Sequence, residues 1–234
     1  MGNLSGRPID AGDATLSLGA AAMHADRSGA VYWPDEQTLI VADLHLEKSS
    51  FYAKRGVMLP PYDTQATLAA LAEVVRRYEP RRVVALGDSF HDHAGGKRLT
   101  DENHAALRAM QSGREWHWIS GNHDPKRIEG IDGIFSTLLS LGGLYFRHQP
   151  AGDENEVVGH FHPVASISAR GRTMRLRCFA DSKTRIVLPA FGSLTGGLDV
   201  RHAAFAAILG LDFVVHLWVA GKFRSLPIRK LESN

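Results

Sequence analysis

Four short apolar runs break off abruptly into polar clusters. Residues 38–42 (TLIVA) lead into Asp43-Leu44-His45, and residues 82–86 (RVVAL) into Gly87-Asp88. Residues 115–119 (EWHWI) lead to Gly121-Asn122-His123-Asp124, and residues 156–158 (EVV) into Gly159-His160-Phe161-His162. Short continuous runs of this kind predict buried strands. Between the first two, Leu68, Leu71, Val74 and Val75 recur at helical spacing, which predicts a helix over residues 64–78 with Asp63 as N-cap and Pro80 as its stop. A shorter helix is predicted over residues 101–110. Strand–helix–strand alternation points to parallel strands, and open α/β sheets bind ligands just past their strand ends. From about Val164 the pattern changes. Residues 167–180, 185–191 and 205–217 read as strands of an antiparallel second sheet in the same domain. The first 20 or so residues, rich in Gly and Ala, are expected to fray or to add an edge strand.

Composition narrows the class. At 234 residues, 44% hydrophobic and 22% charged, the chain reads as one globular domain and excludes a disordered, collagenous or coiled-coil protein. A single cysteine, Cys178, excludes an internal disulfide and a Cys-based zinc site, and fits a reducing, cytoplasmic setting. Residues 1–13 carry Arg7 and Asp10 without an apolar core, so no signal peptide is expected, and Gly6 stands where a myristoylation motif needs Ser or Thr. The apolar stretch 203–220 holds Asp212 and His216, so it reads as core strands and no membrane partner is expected. With 27 Lys+Arg against 25 Asp+Glu, global charge names no partner; the 12 histidines stand out instead.

The histidines fall in the clusters. Asp43 and His45 are two apart and would share one side of an extended chain, as would His160 and His162. Asp88, Asn122 and His123 add a carboxylate, an amide and an imidazole. Such donors without thiolate suit Mn, Fe, Zn or Ni. About seven or eight groups exceed the need of one ion, so two ions sharing a carboxylate, roughly 3.5–4 Å apart, is the economical reading. Taken singly, each motif reads as a turn, an Asx loop or a surface pair; four in order, each at a strand end, carry the dimetal reading.

This series resembles the calcineurin-like metallophosphoesterase superfamily. The resemblance implies an α/β fold, a four-layer αββα sandwich of two mixed β-sheets, formed as a single domain over residues 1–234. It implies that Asp43, His45 and His162 hold one ion, that Asp88 bridges, and that Asn122, His160 and a further histidine hold the second. His148 is the one histidine between the third and fourth motifs and takes that place. Two divalent ions, manganese foremost, would supply a bridging hydroxide that attacks phosphorus in line. His123 would protonate the leaving group, with Asp124 accepting from its other ring nitrogen to fix the tautomer. His91, in Gly87-Asp88-Ser89-Phe90-His91, resembles the double-strand-break repair nuclease branch, where a histidine there helps position the substrate phosphate; it reads equally as a partner of a ligating carboxylate. Lys48, Lys126 and Arg127 flank the motifs and are placed to meet phosphate.

Outside the metal motifs, Leu46-Glu47-Lys48, Arg55-Gly56, the run Leu59-Pro60-Pro61-Tyr62-Asp63-Thr64, His148-x-Pro150 and residues 188–197 (LPAFGSLTGG) resemble the bacterial ligase-associated DNA damage response endonuclease family, PdeM. That resemblance implies a manganese-dependent phosphodiesterase acting on DNA; the favoured reading is an endonuclease preferring single-stranded or flapped ends. It also implies a functional link to a DNA ligase, a helicase and an exonuclease. Two alternatives stand beside it: a nucleotide phosphodiesterase or phosphomonoesterase, and a non-catalytic metal-binding scaffold. The scaffold ranks last because the general-acid histidine and every ligand are present. Arg170, Arg172, Arg175 and Arg177 fall on a predicted hairpin and read either as a track for a phosphate backbone or as a solvated face with cross-strand ion pairs. Trp116 and Trp118 read as packing between sheet and helices, Phe51 and Tyr62 as packing or base stacking, and Arg76, Arg77, Arg81 and Arg82 as solubilising charge at the far end of the strands.

Overall fold

The computed structural model describes residues 14–169 and 172–232. Four antiparallel strands come first: β1 (Ala14–Leu18), β2 (Ala21–Ala25), β3 (Val31–Trp33) and β4 (Thr38–Val41). Helices α1 (Lys48–Ala53) and α2 (Asp63–Tyr78) precede β5 (Arg82–Leu86), and a short 3-10 turn (Gly95–Arg98) and α3 (Asp101–Gln111) precede β6 (Glu115–Ile119) and β7 (Ile134–Ser136). These strands form a seven-stranded sheet in chain order, parallel from β4 onward. A second, nine-stranded sheet contains β8 (Leu139–Leu141), β9 (Leu144–Arg147), β10 (Glu156–Val158), β11 (Pro163–Ala169), β12 (Arg172–Asp181), β13 (Arg185–Val187), β14 (Leu198–Asp199), β15 (Val214–Val219) and β16 (Lys222–Pro227). Helices α4 (Ala203–Leu209) and α5 (Arg229–Glu232) flank β15 and β16.

Three apolar clusters define four layers. Leu68, Leu71, Val74 and Val75 of α2, with Leu107 and Met110 of α3, pack on Leu39, Val41, Val83, Ala85, Trp116 and Trp118 of the first sheet. On its other face Ile40, Val84 and Leu86 meet Phe146, Val157, Phe179 and Ile186 of the second sheet. Beyond that, Val158, Val187, Val215 and Leu217 pack against Phe205 and Leu209 of α4 and Ile228 and Leu231. The sandwich is therefore αββα. Strands covered on both faces need apolar residues at every position, which is why β4 reads as an unbroken run.

Four expectations change. The second half is mixed: β9, β10 and β13 pair in parallel, as do β11 and β14. Residues 203–209 form a helix in which Phe205 and Leu209, four apart, share the buried face; it starts at His202, whose ring accepts the Ala204 N–H at 3.2 Å, and stops at Gly210 (φ +80°). Asp63 is the first residue of α2, not its cap. Its carboxylate instead accepts the Ser49 N–H at 3.0 Å and the Ser49 hydroxyl, tying α1 to α2. Arg77 is structural: it pairs at 2.6 Å with Asp26, a buried carboxylate that also takes the Tyr78 hydroxyl at 2.9 Å. The expected edge strand is β1, while residues 1–13 lie outside the described residues. Among the described residues no helix is long and apolar enough to cross a membrane.

Strand registers bring the motif loops to one edge. Leu86 lies beside Ile119 and Val158 beside Arg147, so Asp88, Asn122, His148 and His160 leave neighbouring strand ends. Cross-loop bonds lock them: Asp43 N–H to Gly87 O at 3.2 Å, His45 N–H to Asp88 O at 2.9 Å and Gly159 N–H to His148 O at 3.1 Å.

Candidate metal centre

The loops are not extended. Asp43, His45, Asp88, His160 and His162 all have φ between +45° and +69°. In a non-glycine residue that conformation is uncommon, costs about 1–3 kcal/mol, and clusters at functional sites. The alternation expected of an extended Asp-x-His or His-x-His segment therefore does not apply; each turn brings its pair together by a left-handed step instead. Neighbouring glycines make room. A Cβ on Gly121 would lie 2.2 Å from the Asp88 amide nitrogen and Oδ1, and one on Gly87 would lie 2.6 Å from the His148 ring.

Two clusters result, each with ligand atoms within 4.8 Å of one another: Asp43, His45 and His162, and Asp88, His148 and His160. In the first, His162 Nε2 is 3.2 Å from Asp43 Oδ1. In the second, His148 Nε2 faces Asn122 Oδ1 at 3.0 Å and His160 Nδ1 at 3.2 Å. The Asp88 carboxylate joins them. Its Oδ2 lies 3.9 Å from His45 Nε2 and 3.4 Å from His148 Nε2. The His148 Nδ1–H donates to the Leu86 carbonyl at 2.9 Å, which fixes the tautomer and turns Nε2 inward. Burial opposes charge on His148, but Asp88 and Asp43 outweigh it and lift its pKa to about 8. Burial likewise opposes charge on Asp88, and its histidine partners still hold it below the usual carboxylate range. Burial pushes His45 the other way, well below an ordinary histidine, so it stands as a neutral ring.

A divalent ion in each cluster fits these residues. Nε2 of both His45 and His162 is buried without a hydrogen-bond partner, and a buried lone pair with nothing to accept is costly. Ring nitrogens and a carboxylate oxygen gather within 4.8 Å of one another in both clusters, a donor set suited to borderline cations.

A third group adjoins the first. His45, His91 and His123 lie together: His91 Nδ1 is 3.3 Å from His45 Nδ1, and the His91 and His123 rings stack at 4.8 Å and 24°. The His123 Nδ1–H donates to the His91 carbonyl at 2.9 Å. Asp124 does not orient that ring, contrary to expectation. Its buried carboxylate accepts four backbone N–H groups, from Asp88 (3.0 Å), Ser89 (2.7 Å), Phe90 (3.1 Å) and Gly121 (2.9 Å). It pins two motif loops to each other, and with its lone pairs so used it has none turned to His123.

Burial, with His123 and Lys48 adding, lowers His91 to about 4. Lys48 is near enough for its charge to act on His45 and His91, and burial lowers its own pKa. Lys126 and Arg127 are exposed; Arg127 lies over the Phe135 ring at 5.1 Å, and no hydrogen bond or ion pair ties either to the clusters among the described residues. The sequence motifs passed over two neighbours, Gln149 and Tyr52. Gln149 Nε2 reaches His160 at 3.3 Å, and Tyr52, with the aromatic Phe51 already noted, flanks His91, at 5.4 and 4.7 Å between ring centres. Gln149 stood inside the His148-x-Pro150 segment, where its position was the only signal.

Fold and site together define a metal-dependent phosphoesterase. Residues 37–214 match the family model for calcineurin-like phosphoesterases, and the chain belongs to that family. Among solved structures it is similar to nuclease MPE from Pseudomonas putida, with 26% identity and a TM-score of 0.69 over 92% of this chain and 100% of that one. A Vps29 single mutant from Entamoeba histolytica matches at 14% identity and TM-score 0.33, over 81% of this chain and 97% of that one. Vacuolar Protein Sorting 29 from Cryptosporidium parvum matches at 15% and 0.32, over 81% and 95%. No curated protein sequence matches the chain.

Proposed function

We propose that this chain is a two-metal phosphodiesterase that cuts DNA, manganese being the favoured ion, and that it serves DNA repair alongside a ligase, a helicase and an exonuclease. The observation that carries the reading is Asp88 Oδ2 standing between His45 Nε2 and His148 Nε2, one carboxylate shared by two buried clusters. Asp43, His45 and His162 would hold one ion; Asn122, His148 and His160 the other; Asp88 both. Bound there, two divalent ions supply charge for the phosphate and a water acidified toward neutral pH. The protein's own residues do the rest. His123 keeps Nδ1–H on the His91 carbonyl, a bond that strengthens when the ring is a cation, and offers Nε2–H to the departing oxygen. His91 stacks on that ring and aligns it. Lys48 contributes positive charge beside them. Similarity to a nuclease over nearly the whole chain supports a nucleic acid as substrate.

The test is to incubate manganese-loaded protein with circular single-stranded DNA, and separately with cyclic and linear nucleotides. Nicking of the circle that disappears in Asp88→Asn supports the nuclease. Nucleotide turnover without nicking refutes it.

A further inference from the structure

Arg175 and Arg177 stand out among the basic residues. Both are exposed, and they occupy alternate positions of β12, so their side chains leave one face about 6.5–7 Å apart. In register, Arg177 lies opposite Val164 and Arg175 opposite Ser166, on the strand that begins one residue after His162. Neither guanidinium has a carboxylate partner among the described residues. Arg175 donates to the Gly197 carbonyl, and Arg177 to those of Phe191 at 3.3 Å and Gly192 at 3.1 Å. On the adjoining strand Asp199 is already taken, held by two bonds from Arg201 (2.8 and 2.9 Å) and by the Ser166 hydroxyl at 2.8 Å.

The segment these arginines hold is itself fastened to the centre. Phe191 N–H bonds Ala42 O at 2.8 Å, Gly192 N–H bonds Asp43 O at 3.2 Å, and Leu198 N–H bonds His162 O at 3.1 Å. Two uncompensated cations are thus fixed at a set place beside the Asp43–His162 cluster. A guanidinium has five N–H donors, and carbonyl ties use only part of them. In a chain of net charge +2, local charge left without an anion is informative.

We infer that Arg175 and Arg177 form a ledge that binds successive phosphates of a single DNA strand leading away from the scissile bond. The inference rests on the reading of the chain as a DNA phosphodiesterase. It resolves the two readings of the hairpin arginines toward the backbone track for this pair, because no cross-strand ion pair holds either of them among the described residues; Arg170 and the Arg172 side chain lie outside these.

The experiment compares holoenzyme and full-length variants on oligothymidylate and on bis(p-nitrophenyl) phosphate across a salt series, with anisotropy binding of the same oligonucleotide in EDTA. The double variant Arg175→Gln/Arg177→Gln should lose about tenfold or more in kcat/KM on the oligonucleotide, far more than on the small diester. Its log–log salt slope for binding should flatten by about 1.4, near 0.7 per lost phosphate contact on a single strand. The Arg175→Lys/Arg177→Lys variant, which keeps charge and loses the forked ties, should retain the slope. Equal losses on both substrates with an unchanged slope would show that the arginines only hold the 191–197 segment, and would overturn the ledge. Wild-type protein that turns over the small diester but neither cuts nor binds the oligonucleotide would overturn the nuclease reading itself, before any variant is compared.

Discussion

Asp88 Oδ1 accepts the backbone N–H of His123 at 2.8 Å, so the carboxylate shared by the two clusters and the histidine assigned to proton transfer are one hydrogen bond apart. The other oxygen of the same carboxylate looks into both clusters. Anything that moves Asp88 therefore moves ligands and acid together.

Asp88→Asn keeps the oxygen that His123 needs and replaces the anion between the clusters with a neutral amide. Turnover should fall by about 100-fold or more, with bound metal dropping below two ions per chain. Elemental analysis of dialysed protein beside the rate measurement checks this. Two ions retained at full occupancy would remove Asp88 from its bridging place.

His123→Ala should separate chemistry from metal binding. Metal content should stay at the wild-type level while kcat drops by about 10²–10⁴ on DNA. The loss should shrink on a diester with an acidic phenol as leaving group, which needs no proton. Metal lost along with activity would make His123 a ligand.

Asp124→Asn tests a structural claim. The amide would turn a donor toward N–H groups that now share two carboxylate oxygens, leaving at least one of them unpaired in a buried site. The cost should be about 2–4 kcal/mol, a melting temperature lower by roughly 5–12 °C. His123 remains on the His91 carbonyl in this variant, so the pH profile of residual activity should keep its shape. A profile that loses its alkaline limb would restore Asp124 as the partner of that ring.

A pH dependence follows from Asp199. Hydrogen bonds from Arg201 hold its carboxyl well below the usual carboxylate range, overcoming a smaller opposing effect of burial. A depressed folded-state pKa means that the unfolded chain takes up the proton first. The contribution is therefore complete above the unfolded value of 3.8 and disappears as pH falls toward the folded value. Asp199→Asn should lower stability near neutrality by about 0.5–1 kcal/mol and make the decline below pH ~4 shallower. Thermal melts of both proteins from neutral to acid pH measure it; parallel curves would contradict the assignment.

The edge on which the site sits was legible because apolar runs stop abruptly at Asp43, Asp88, Asn122 and His160, and burial on both faces enforces those runs. Helix α2 was legible from Leu68, Leu71, Val74 and Val75, whose spacing has only one periodic reading. What escaped was set by contacts distant in sequence. Asp124 reaches Asp88, Ser89 and Phe90 across 34 to 36 positions, and nothing local distinguishes that from an Asx loop. The parallel pairing of β9, β10 and β13 depends on which strands meet, a matter the runs themselves leave open. Residues 203–209 misled because a short apolar stretch fits strand and helix alike. The left-handed turns at Asp43 and His162 were invisible for a related reason: both residue types ordinarily prefer other regions, and only the surrounding sheets override them.

Those turns set the chain's fitness against its robustness. At Asp43, His45, Asp88, His160 and His162 the backbone sits where glycine is at ease and a side chain is not. Exchanging any one of them for glycine would relieve the local conformation while removing a side chain of the proposed metal centre. The strained backbone at these five positions is thus the local cost of a donor set gathered at one sheet edge.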